Sequence, residues 1–447
     1  MAALARHQLP LLLSFEARIC SRCLYSTVAA PQIQRSAEEI NLLGKSYPTD
    51  EWTNVSRPII DTLSRKLHLQ QSHPIGILRN IIEARFPSDK YTRYTDLPPI
   101  VTTKQNFDSL GIPLDHPGRS RTDTYYVNAK TVLRTHTSAH QAETFRSCPT
   151  PGFLISADVY RRDSIDRSHY PSFHQMEGAM TWPKSPGYAS PAEQIEKDIA
   201  ALPKLDLVVE DPMPAFHDKN PKQPQHSDAE SIAISTHLKR TLEGMVEEIF
   251  GRARAAAGTT SDERLRVRWI DAYFPFTSPS YELEVLWEGQ WLELLGCGVV
   301  AQPVLENAGT CLLDYTNLGV PNKVGWAFGI GLDRLAMVLF GVPDIRLFWS
   351  TDPRFLKQFS PGTVSQFTPF SKYPECYKDV AFWLNDTSVS AAGGGQVSKF
   401  HENDLMELLR EEAGDLIEDV HLVDEFRHPK TGRKSLCYRI NYRSMER

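Results

Sequence analysis

Two arginines, a glutamine and a glutamate occupy a short region of the sequence in a pattern that could bind charged ligands. Arg161 and Arg162 end an apolar run, and residues 172–178 alternate so that Gln175 and Glu177 would share one face of a strand. Arginine offers a planar fork for a carboxylate or phosphate, and glutamate accepts from an ammonium group. We therefore predict two antiparallel strands that carry a pocket for a zwitterion beside a phosphate. Burying such groups without a ligand is costly, which favours a ligand pocket. An ion pair on a solvated sheet is the alternative.

Aromatic and small residues further along the chain predict an apolar part of the same pocket. Phe274 and Phe276 alternate across a proline, so both rings could face one side of a strand. Two core phenylalanines would show the same pattern. Gly296, Cys297 and Gly298 would together form a flat floor beneath the rings.

Residues 134–141 combine histidines with hydroxyl side chains just before a predicted helix. Ser138 is predicted to be the N-cap of that helix, and a helix start attracts carboxylates and phosphates. By its residue type alone, His136 is more often a core histidine with satisfied hydrogen bonds.

These stretches resemble the signature motifs of class II aminoacyl-tRNA synthetases, in the form found in phenylalanine–tRNA ligases. The resemblance rests on the ordered segments 158–163 with 172–178, 273–276, 291–298 and 325–334. It extends from about Ser72 to the last residue, and the layout is similar to that of the single-chain ligases. It implies an α+β fold, in which an antiparallel class II sheet core with helices precedes a C-terminal ferredoxin-like α/β-plait that binds the anticodon.

The resemblance also implies a reaction. Enzymes of this family attach L-phenylalanine to tRNA-Phe with ATP, through a phenylalanyl-adenylate. Both steps gain from positioning and charge stabilisation, without a protein nucleophile. The sequence contains neither a G-x-S-x-G elbow nor a G-x-x-x-x-G-K-[ST] loop, so arginines and strand edges are expected to hold the ATP.

Individual roles follow from the matched positions. Arg161 and Arg334 are the implied catalytic residues, Arg161 at the α-phosphate and the amino-acid carboxylate, Arg334 at the γ-phosphate or pyrophosphate. The implied phenylalanine-binding residues are His136, Ser138, Gln175, Glu177, Gly178, Phe274, Phe276, Gly296, Cys297 and Ala327. The implied ATP-binding residues are Arg161, His169, Phe173, Glu293 and Arg334.

A magnesium ion is expected to accompany ATP. Mg²⁺ prefers oxygen ligands and keeps much of its water, so few protein ligands are needed. Glu293 is the candidate acid, with Glu282 and Glu284 as alternatives.

The resemblance places small Ala327 near the para carbon of the substrate ring. An apolar pocket rejects an added hydroxyl only weakly. The chain shows no segment resembling the editing module of the two-subunit ligases. Measurable activation of tyrosine is therefore expected.

The composition is typical of a globular protein with more than one domain. With 447 residues, 41% of them hydrophobic and 23% charged, the chain can bury a large core. Because the formal net charge is -6, contact with nucleic acid must come from local basic patches. Seven scattered cysteines argue against a disulfide framework and for a reducing compartment.

Residues 1–35 have the composition of a mitochondrial transit peptide. A single acid, Glu16, stands there against Arg6, Arg18, Arg22 and Arg35. This basic character suits an organelle transit peptide better than a secretory signal. We expect import into the mitochondrial matrix, with an incidental disordered tail as the alternative. No later segment is apolar for long enough to cross a bilayer.

Three regions follow the transit peptide: a class II catalytic domain over 36–350, a linker over 351–371 and a ferredoxin-like domain over 372–447. Residues 183–227 look like an insertion in the catalytic domain, and 212–225 have the composition of a flexible loop. The insertion receives no predicted chemistry.

Strands and turns are predicted at both ends of this layout. Residues 265–299 should form three antiparallel strands, with turns near Ser278-Pro279 and Glu288-Gly289. The ferredoxin-like region should form strand, helix, strand and strand. Relative to the family it would lack a last helix and strand, which would leave an unpaired edge.

The end of the chain is basic. Residues 426–447 carry seven basic residues against one acid. Such a face suits contact with phosphates, and a solvated strand pair is the alternative. The predicted tRNA-binding residues are Arg427, Lys430, Arg433, Lys434 and Arg439.

The expected partners are tRNA-Phe, ATP and L-phenylalanine, with no membrane association. A monomer is expected because the similar single-chain ligases work as monomers. Two alternatives stay open, a class II ligase for another amino acid and an inactive relative that only binds RNA.

Overall fold

A mixed sheet of eight strands lies at the centre of the chain. The computed structural model describes residues 39–184, 190–256, 258, 263–309, 323–384 and 400–445, and the predicted transit peptide 1–35 lies outside them. In spatial order the strands are β3 (Tyr91–Tyr94), β7 (Gly152–Tyr160), β8 (Ser172–Pro183), β13 (Lys323–Gly331), β12 (Gln290–Val300), β11 (Thr277–Trp287), β10 (Leu265–Phe274) and β9 (Leu207–Glu210).

Antiparallel pairing dominates this sheet, as predicted. Among the described strands, only the two edge pairs are parallel, β3 with β7 and β9 with β10. The architecture is therefore α+β, unlike the all-parallel sheet of doubly wound nucleotide-binding folds.

Helices cover one face of the sheet. In chain order they are α1 (Arg57–Thr62), α2 (Pro74–Glu83), α3 (Thr103–Asn106), α4 (Gln141–Ser147), α5 (Pro191–Ala201), α6 (Asp228–Ala256), α7 (Gln302–Gly309), α8 (Leu332–Phe340), α9 (Arg346–Trp349), α10 (Pro353–Leu356) and α11 (Glu402–Ala413). Buried side chains of α2, α5, α6 and α8 join those of the strands in the largest apolar cluster. None of the helices in the described ranges has the length and apolar character needed to span a membrane.

The opposite face of the sheet is only partly covered. Phe145 of α4 and Leu305 of α7 pack there against Phe153, Ile155 and Ala327. The rest of this face opens to solvent, so polar side chains from several strands can meet there.

The predicted turns are correct at one position and displaced at another. The turn at Glu288-Gly289 is confirmed, and both residues have positive φ, 50° and 82°. The turn between β10 and β11 lies at 275–276, because Phe274 pairs with Thr277. Ser278-Pro279 therefore lies inside β11, beginning two residues beyond the turn.

Two small sheets flank the central one. β1 (Glu39–Leu42) pairs with β2 (Lys45–Pro48). β6 (Thr131–Leu133) lies between β4 (Ile100–Thr102) and β5 (Tyr126–Asn128). Their apolar residues pack around Tyr125 and Tyr160, close to the end of β7.

The C-terminal region has the predicted order of strand, helix, strand and strand. Here β14 (Cys376–Trp383), β15 (Ile417–Arg427) and β16 (Lys434–Tyr442) form a sheet with β16 in the middle. Helix α11 covers one side of that sheet and contributes Met406 to its apolar core.

This C-terminal region packs directly on the loop between β7 and β8. The guanidinium group of Arg410 donates to the carbonyls of Asp163 and Ser164. The backbone amide of Val420 donates to the carbonyl of Ile165 at 3.0 Å. Since Ile165 also belongs to the C-terminal apolar core, the loop and this domain are packed as one body.

A buried carboxylate lies at the centre of this contact. Glu407 of α11 accepts hydrogen bonds from the hydroxyls of Ser56 and Tyr125. Arg410 and Arg162 lie 3.4 Å and 3.9 Å from the same carboxylate. Glu407 thus links three segments of the catalytic domain to the C-terminal helix.

The insertion 183–227 contains regular structure, namely helix α5 and strand β9. Residues 185–189 lie outside the described part of the chain. The prediction of a flexible loop over 212–225 is wrong for its second half, where Asn220 and Gln223 are buried and hydrogen-bonded. Its polar composition reflects internal hydrogen bonds as well as solvent exposure.

Replacing Glu407 with alanine should lower the free energy of unfolding by about 3 kcal/mol. Removing Glu407 leaves the buried guanidinium of Arg410 without its carboxylate partner and leaves Arg162 with Asp404 alone. Urea unfolding followed by tryptophan fluorescence measures the change. Glu412→Ala, at an exposed position of the same helix, is the control and should change stability by less than about 0.5 kcal/mol. Equal midpoints for the two variants would contradict the prediction.

Candidate active site

The pairing of four strands brings the predicted site residues onto one face of the sheet. On β8, Gln175 lies opposite Ala157 of β7 and opposite Gly331 of β13. Glu177 lies opposite Ile155 and Gly329 in the same way. Directly opposed residues share a face of the sheet. The side chains of Gln175 and Glu177 therefore have glycine residues of β13 as their neighbours on one side.

Glu177 is a buried carboxylate without a cationic partner in the described chain. It is 1% exposed. Ser138 donates to it at 2.5 Å, Gln141 at 3.0 Å and Thr137 at 3.3 Å. Burial raises its pKa from the ordinary 4.5 to about 7, and these neutral donors offset that rise only in part. The environment is therefore suited to a carboxylate that receives a cation from a ligand.

Ser138 does not cap a helix, in contrast to its prediction. Residues Thr137–His140 form one 3₁₀ turn before α4, and neither the turn nor α4 has a side-chain cap. The hydroxyl donates to the carboxylate of Glu177. Sequence reasoning did not predict Thr137 and Gln141, which complete the donor set.

Gln175 and His136 lie at the edge of this carboxylate pocket. The side-chain oxygen of Gln175 accepts from the backbone amide of Thr137 at 3.3 Å. Burial and the nearby charge of Arg161 lower the pKa of His136 to about 3. The carbonyl of Asn106 lies close enough to favour the protonated ring, yet neither ring nitrogen reaches hydrogen-bond geometry. At neutral pH His136 is an uncharged ring whose two nitrogens are buried and have no hydrogen-bond partner in the described chain.

Arg161 is held in place without being neutralised. Its Nε donates to the carbonyl of Thr135 at 2.8 Å, and its guanidinium lies 5.4 Å from the ring centre of Phe173. No carboxylate pairs with it in the described chain. The surrounding protein lowers its pKa, although the side chain stays open to solvent within the concave site. It is a preorganised donor for an anion.

Arg334 lies in the first turn of α8. The preceding residue, Asp333, accepts from the backbone amide of His174 at 2.5 Å and from its ring at 3.1 Å. These bonds tie the start of α8 to β8. Arg334 itself is exposed and has no ion-pair partner in the described chain. The guanidinium of Arg161 lies over Phe173, and the residue before Arg334 is hydrogen-bonded to His174, so both arginines belong to segments held at the start of β8.

His169 lies in the loop between β7 and β8. Its Nδ1 is 2.7 Å from Asp166, and that hydrogen bond raises the pKa of His169, while the charge of Arg334 lowers it. Arg334 is therefore close to this loop. His169 and the two arginines are the candidate basic groups of the site.

The two predicted rings lie beside the glycine floor. Phe274 and Phe276 are stacked, with centroids 5.9 Å apart and planes at 16°. A Cβ atom at Gly296 would stand 2.5 Å from the Phe274 ring, so only glycine lets the ring lie flat there. Phe276 packs against the cluster that contains Ala327. The arrangement leaves an apolar wall next to the polar residues of β8.

Two predicted site residues have side-chain positions on the other face. Cys297 is buried in the helix-covered cluster, and a Cβ at Gly178 would meet Phe328 at 2.3 Å. Neighbours along a strand point to opposite faces, so Cys297 cannot share a floor with Gly296 and Gly298. Gly329, which the sequence analysis did not select, lies opposite Glu177 with open space above it. The sequence analysis lacked the strand register, which decides the face on which each residue lies.

The predicted acids at the end of β11 and β12 are not equivalent. Glu284 is ion-paired with Arg268 at 2.5 Å. Burial, the charge of Glu293 and the charge of Glu284 raise the pKa of Glu282. A divalent cation would relieve this repulsion, so Glu282 and Glu293 fit a magnesium ion held largely by water. In the described chain, no three metal-binding side chains converge on one point.

The five predicted tRNA-binding residues differ in their availability. Lys434 is paired with Glu425 at 2.8 Å, and Arg439 forms a bidentate pair with Asp379. The remaining three are exposed at the hairpin between β15 and β16, namely Arg427, Lys430 and Arg433. Arg433 also lies over the ring of Trp383 at 5.5 Å.

Comparison with protein families gives two matches. The family described as "tRNA synthetases class II core domain (F)" matches residues 58–182 and 222–359. The family described as "Ferredoxin-fold anticodon binding domain" matches residues 371–447. Between the two parts of the first match lie residues 183–221.

Similar proteins were found in several eukaryotes. The chain is 48% identical to "Phenylalanine--tRNA ligase, mitochondrial" of Saccharomyces cerevisiae, over 95% of this chain and 91% of that protein. It is 42% identical to the protein of the same name from Mus musculus, over 91% of this chain and 83% of that protein. The match to "Phenylalanine--tRNA ligase, chloroplastic/mitochondrial" of Arabidopsis thaliana is 43%, over 89% and 77%.

Replacing Glu177 with glutamine should stabilise the fold in a pH-dependent manner. Below about pH 4.5 folded and unfolded chains both hold the proton, so the variant gains nothing. As the pH rises toward 7, the unfolded wild type releases the proton that the folded state retains, and wild-type stability falls. The variant should therefore be more stable by about 3 kcal/mol at pH 8.

Urea unfolding at pH 4.5 and pH 8 checks this prediction. Glu143→Gln, at an exposed position of α4, is the control and should show no such difference. A stability gain of Glu177→Gln that is the same at both pH values would contradict the burial of an ionisable group at this site.

Proposed function

Because the chain belongs to the phenylalanine–tRNA ligase family of class II aminoacyl-tRNA synthetases, we propose that its open sheet face binds L-phenylalanine and ATP. The enzyme attaches L-phenylalanine to tRNA-Phe for translation in the mitochondrial matrix. The observation that carries the assignment of the site is the buried, uncompensated Glu177 beside the unpaired Arg161. A zwitterionic amino acid supplies the missing charge to both.

L-phenylalanine lies along β8 in this proposal. Its ammonium group donates to Glu177 and Gln175, and its carboxylate faces the guanidinium of Arg161. Its ring enters the space beside Phe274 and Phe276, where offset or edge-to-face contacts stabilise it. Ionisation of Glu177, whose pKa is about 7, strengthens ammonium binding as the pH rises through neutrality.

In the first step a carboxylate oxygen of phenylalanine attacks the α-phosphorus of ATP, and pyrophosphate leaves. Arg161 stabilises the charge on the α-phosphate, and Arg334 holds the departing phosphates. The guanidinium of Arg161 is held by its hydrogen bond to the carbonyl of Thr135 before the substrates arrive, so little reorganisation of this group accompanies the reaction. Glu282 and Glu293 would hold a magnesium ion, which would supply further positive charge when it is bound with ATP.

In the second step a ribose hydroxyl of the terminal adenosine of tRNA-Phe attacks the acyl carbon, and AMP leaves. The gain again comes from positioning. The C-terminal domain contacts the tRNA through its exposed basic hairpin, with Arg427, Lys430 and Arg433 more available than the ion-paired Lys434 and Arg439. The enzyme acts as a monomer, and residues 1–35 direct it into the matrix.

An exchange assay tests this function directly. Pyrophosphate exchange into ATP should require phenylalanine when each of the twenty amino acids is supplied separately, with a weaker signal for tyrosine. Charging of a tRNA-Phe transcript, measured separately, tests the second step. Exchange driven best by another amino acid would overturn the substrate assignment. Exchange without charging would indicate a defect confined to tRNA binding.

Arg161→Ala and Arg334→Ala should each lower kcat for phenylalanine-dependent exchange by about a hundredfold or more. Each substitution removes a preorganised cation from the reacting phosphates. Arg57→Ala, at an exposed residue paired only with Asp61, is the matched control and should leave the rate unchanged. Near-normal exchange in both site variants would remove the arginines from the chemistry.

Ala327→Gly should widen acceptance of para-substituted phenylalanines. Loss of the methyl group adds space to the wall on which Phe276 packs. One methylene is worth about ten- to two-hundredfold in discrimination. Exchange rates with phenylalanine and para-chlorophenylalanine measure the ratio, and an unchanged ratio would show that Ala327 does not line the ring pocket.

A further inference from the structure

The insertion supports the hairpin that carries Phe274 and Phe276. Residues 217–226, here called the bracing segment, form hydrogen bonds to both strands of this hairpin and to the end of β12. We infer that the bracing segment positions the two rings and thereby determines selectivity for phenylalanine. This inference rests on the function proposed above.

Asn220 forms three hydrogen bonds to the hairpin. Its amide donates to the carboxylate of Asp271 at 2.9 Å and to the carbonyl of Ser280 at 2.8 Å. Its oxygen accepts from the backbone amide of Ser280 at 2.9 Å. The side chain is 4% exposed. One buried amide therefore joins β10 to β11, at residues that stand three before Phe274 and four after Phe276 in the sequence.

Gln223 continues the support toward β12. Its amide donates to the carbonyls of Ser278 at 2.9 Å and Val300 at 3.0 Å. Its oxygen accepts from the backbone amide of Gln302 at 2.6 Å. The hydroxyl of Ser278 donates to the carbonyl of Pro221. The end of the hairpin and the end of β12 are thus held to one short segment.

Asp271 connects this network to a second contact. While one of its oxygens accepts from Asn220, the other lies 2.7 Å from Nε2 of His217. The hydroxyl of Tyr281 donates to the carbonyl of Ala215, just before the bracing segment. The hairpin is therefore held by both of its strands.

The hairpin needs this support because its own pairing is irregular. The register shifts between Ala272 and Phe274 on β10, and between Thr277 and Ser280 on β11 where it pairs with β12. Such shifts leave backbone groups without strand partners. Buried backbone groups require hydrogen bonds, and the amides of Asn220 and Gln223 supply them. The positions of Phe274 and Phe276 are fixed between these two irregularities.

Selectivity for phenylalanine should depend on the bracing segment, because Phe274 and Phe276 form the apolar wall of the proposed substrate pocket. A displacement of about 1 Å can cost on the order of a hundredfold in rate. The bracing segment does not contact Arg161 or Arg334 in the described chain, so ATP binding should not depend on it. It is a positioning element, distinct from the residues that touch the substrates.

Asn220→Ala and Gln223→Ala, made in the full-length enzyme, test the inference. Each should lower kcat/KM for phenylalanine in pyrophosphate exchange by about tenfold or more, with KM for ATP changed less than about twofold. The ratio of the phenylalanine to the tyrosine value of kcat/KM should fall. Lys219→Ala, at an exposed neighbour, is the control and should change none of these quantities.

Swapping the amide of Asn220 and the carboxylate of Asp271 distinguishes a positioning role from general destabilisation of the fold. Asn220→Asp has the same shape but puts a carboxylate against Asp271 and the carbonyl of Ser280, so it should lose selectivity. Adding Asp271→Asn returns an amide donor to the pair and should recover part of the selectivity. Thermal melting of each variant shows whether the fold is retained.

The possible outcomes distinguish a failure of this inference from a failure of the proposed function. Selectivity that is unchanged in folded Asn220 and Gln223 variants would overturn the inference while leaving the proposed function intact. A proportionate loss for phenylalanine and tyrosine, with no recovery in the double variant, would overturn it as well, since it indicates only a loss of active protein. Failure of the wild type to perform phenylalanine-dependent exchange would refute the proposed function itself.

Discussion

The two-residue repeat of an antiparallel strand assigns each side chain of the central sheet to one of two environments, and the site depends on this assignment. On β8, His174 and Met176 are fully buried toward the helices, whereas Gln175 and Glu177 project to the open face. A slip of one residue would exchange the two sets. The apolar cluster under the helices therefore fixes the register that brings the charged groups together, and the core and the site are specified by the same pairing.

Much of the fold could be predicted because its elements are long and regular. The three strands over residues 265–299 and the C-terminal order of strand, helix, strand and strand were predicted from the sequence and are present. The shared face of Gln175 and Glu177 on β8 was predicted from the alternation of side chains along a strand. Errors arose where adjacent residues point apart or where a polar group bonds to a partner that is distant in the sequence. Cys297 was assigned to the face of Gly296, and Ser138 was assigned to a helix end although Glu177 accepts its hydrogen bond. Neither the register nor a distant acceptor can be read from one segment.

The bracing segment was predicted least well, for a different physical reason. Asparagine, glutamine and proline are typical of solvated loops. The same amides also replace strand partners for buried carbonyls, as Asn220 and Gln223 do. Composition does not distinguish these two uses, because both require polar atoms and irregular backbone. Only the path of the chain over the hairpin reveals which applies.

The glycine floor beneath Phe274 also limits how this enzyme can change over evolutionary time. Any residue other than glycine at position 296 introduces a Cβ atom 2.5 Å from the ring, and position 298 is similarly crowded by the carbonyl of Pro279. Every single-base codon change that replaces either residue adds such an atom. Substitutions at these two positions are therefore not neutral. Inherited variation in the pocket must accumulate in the surrounding side chains instead.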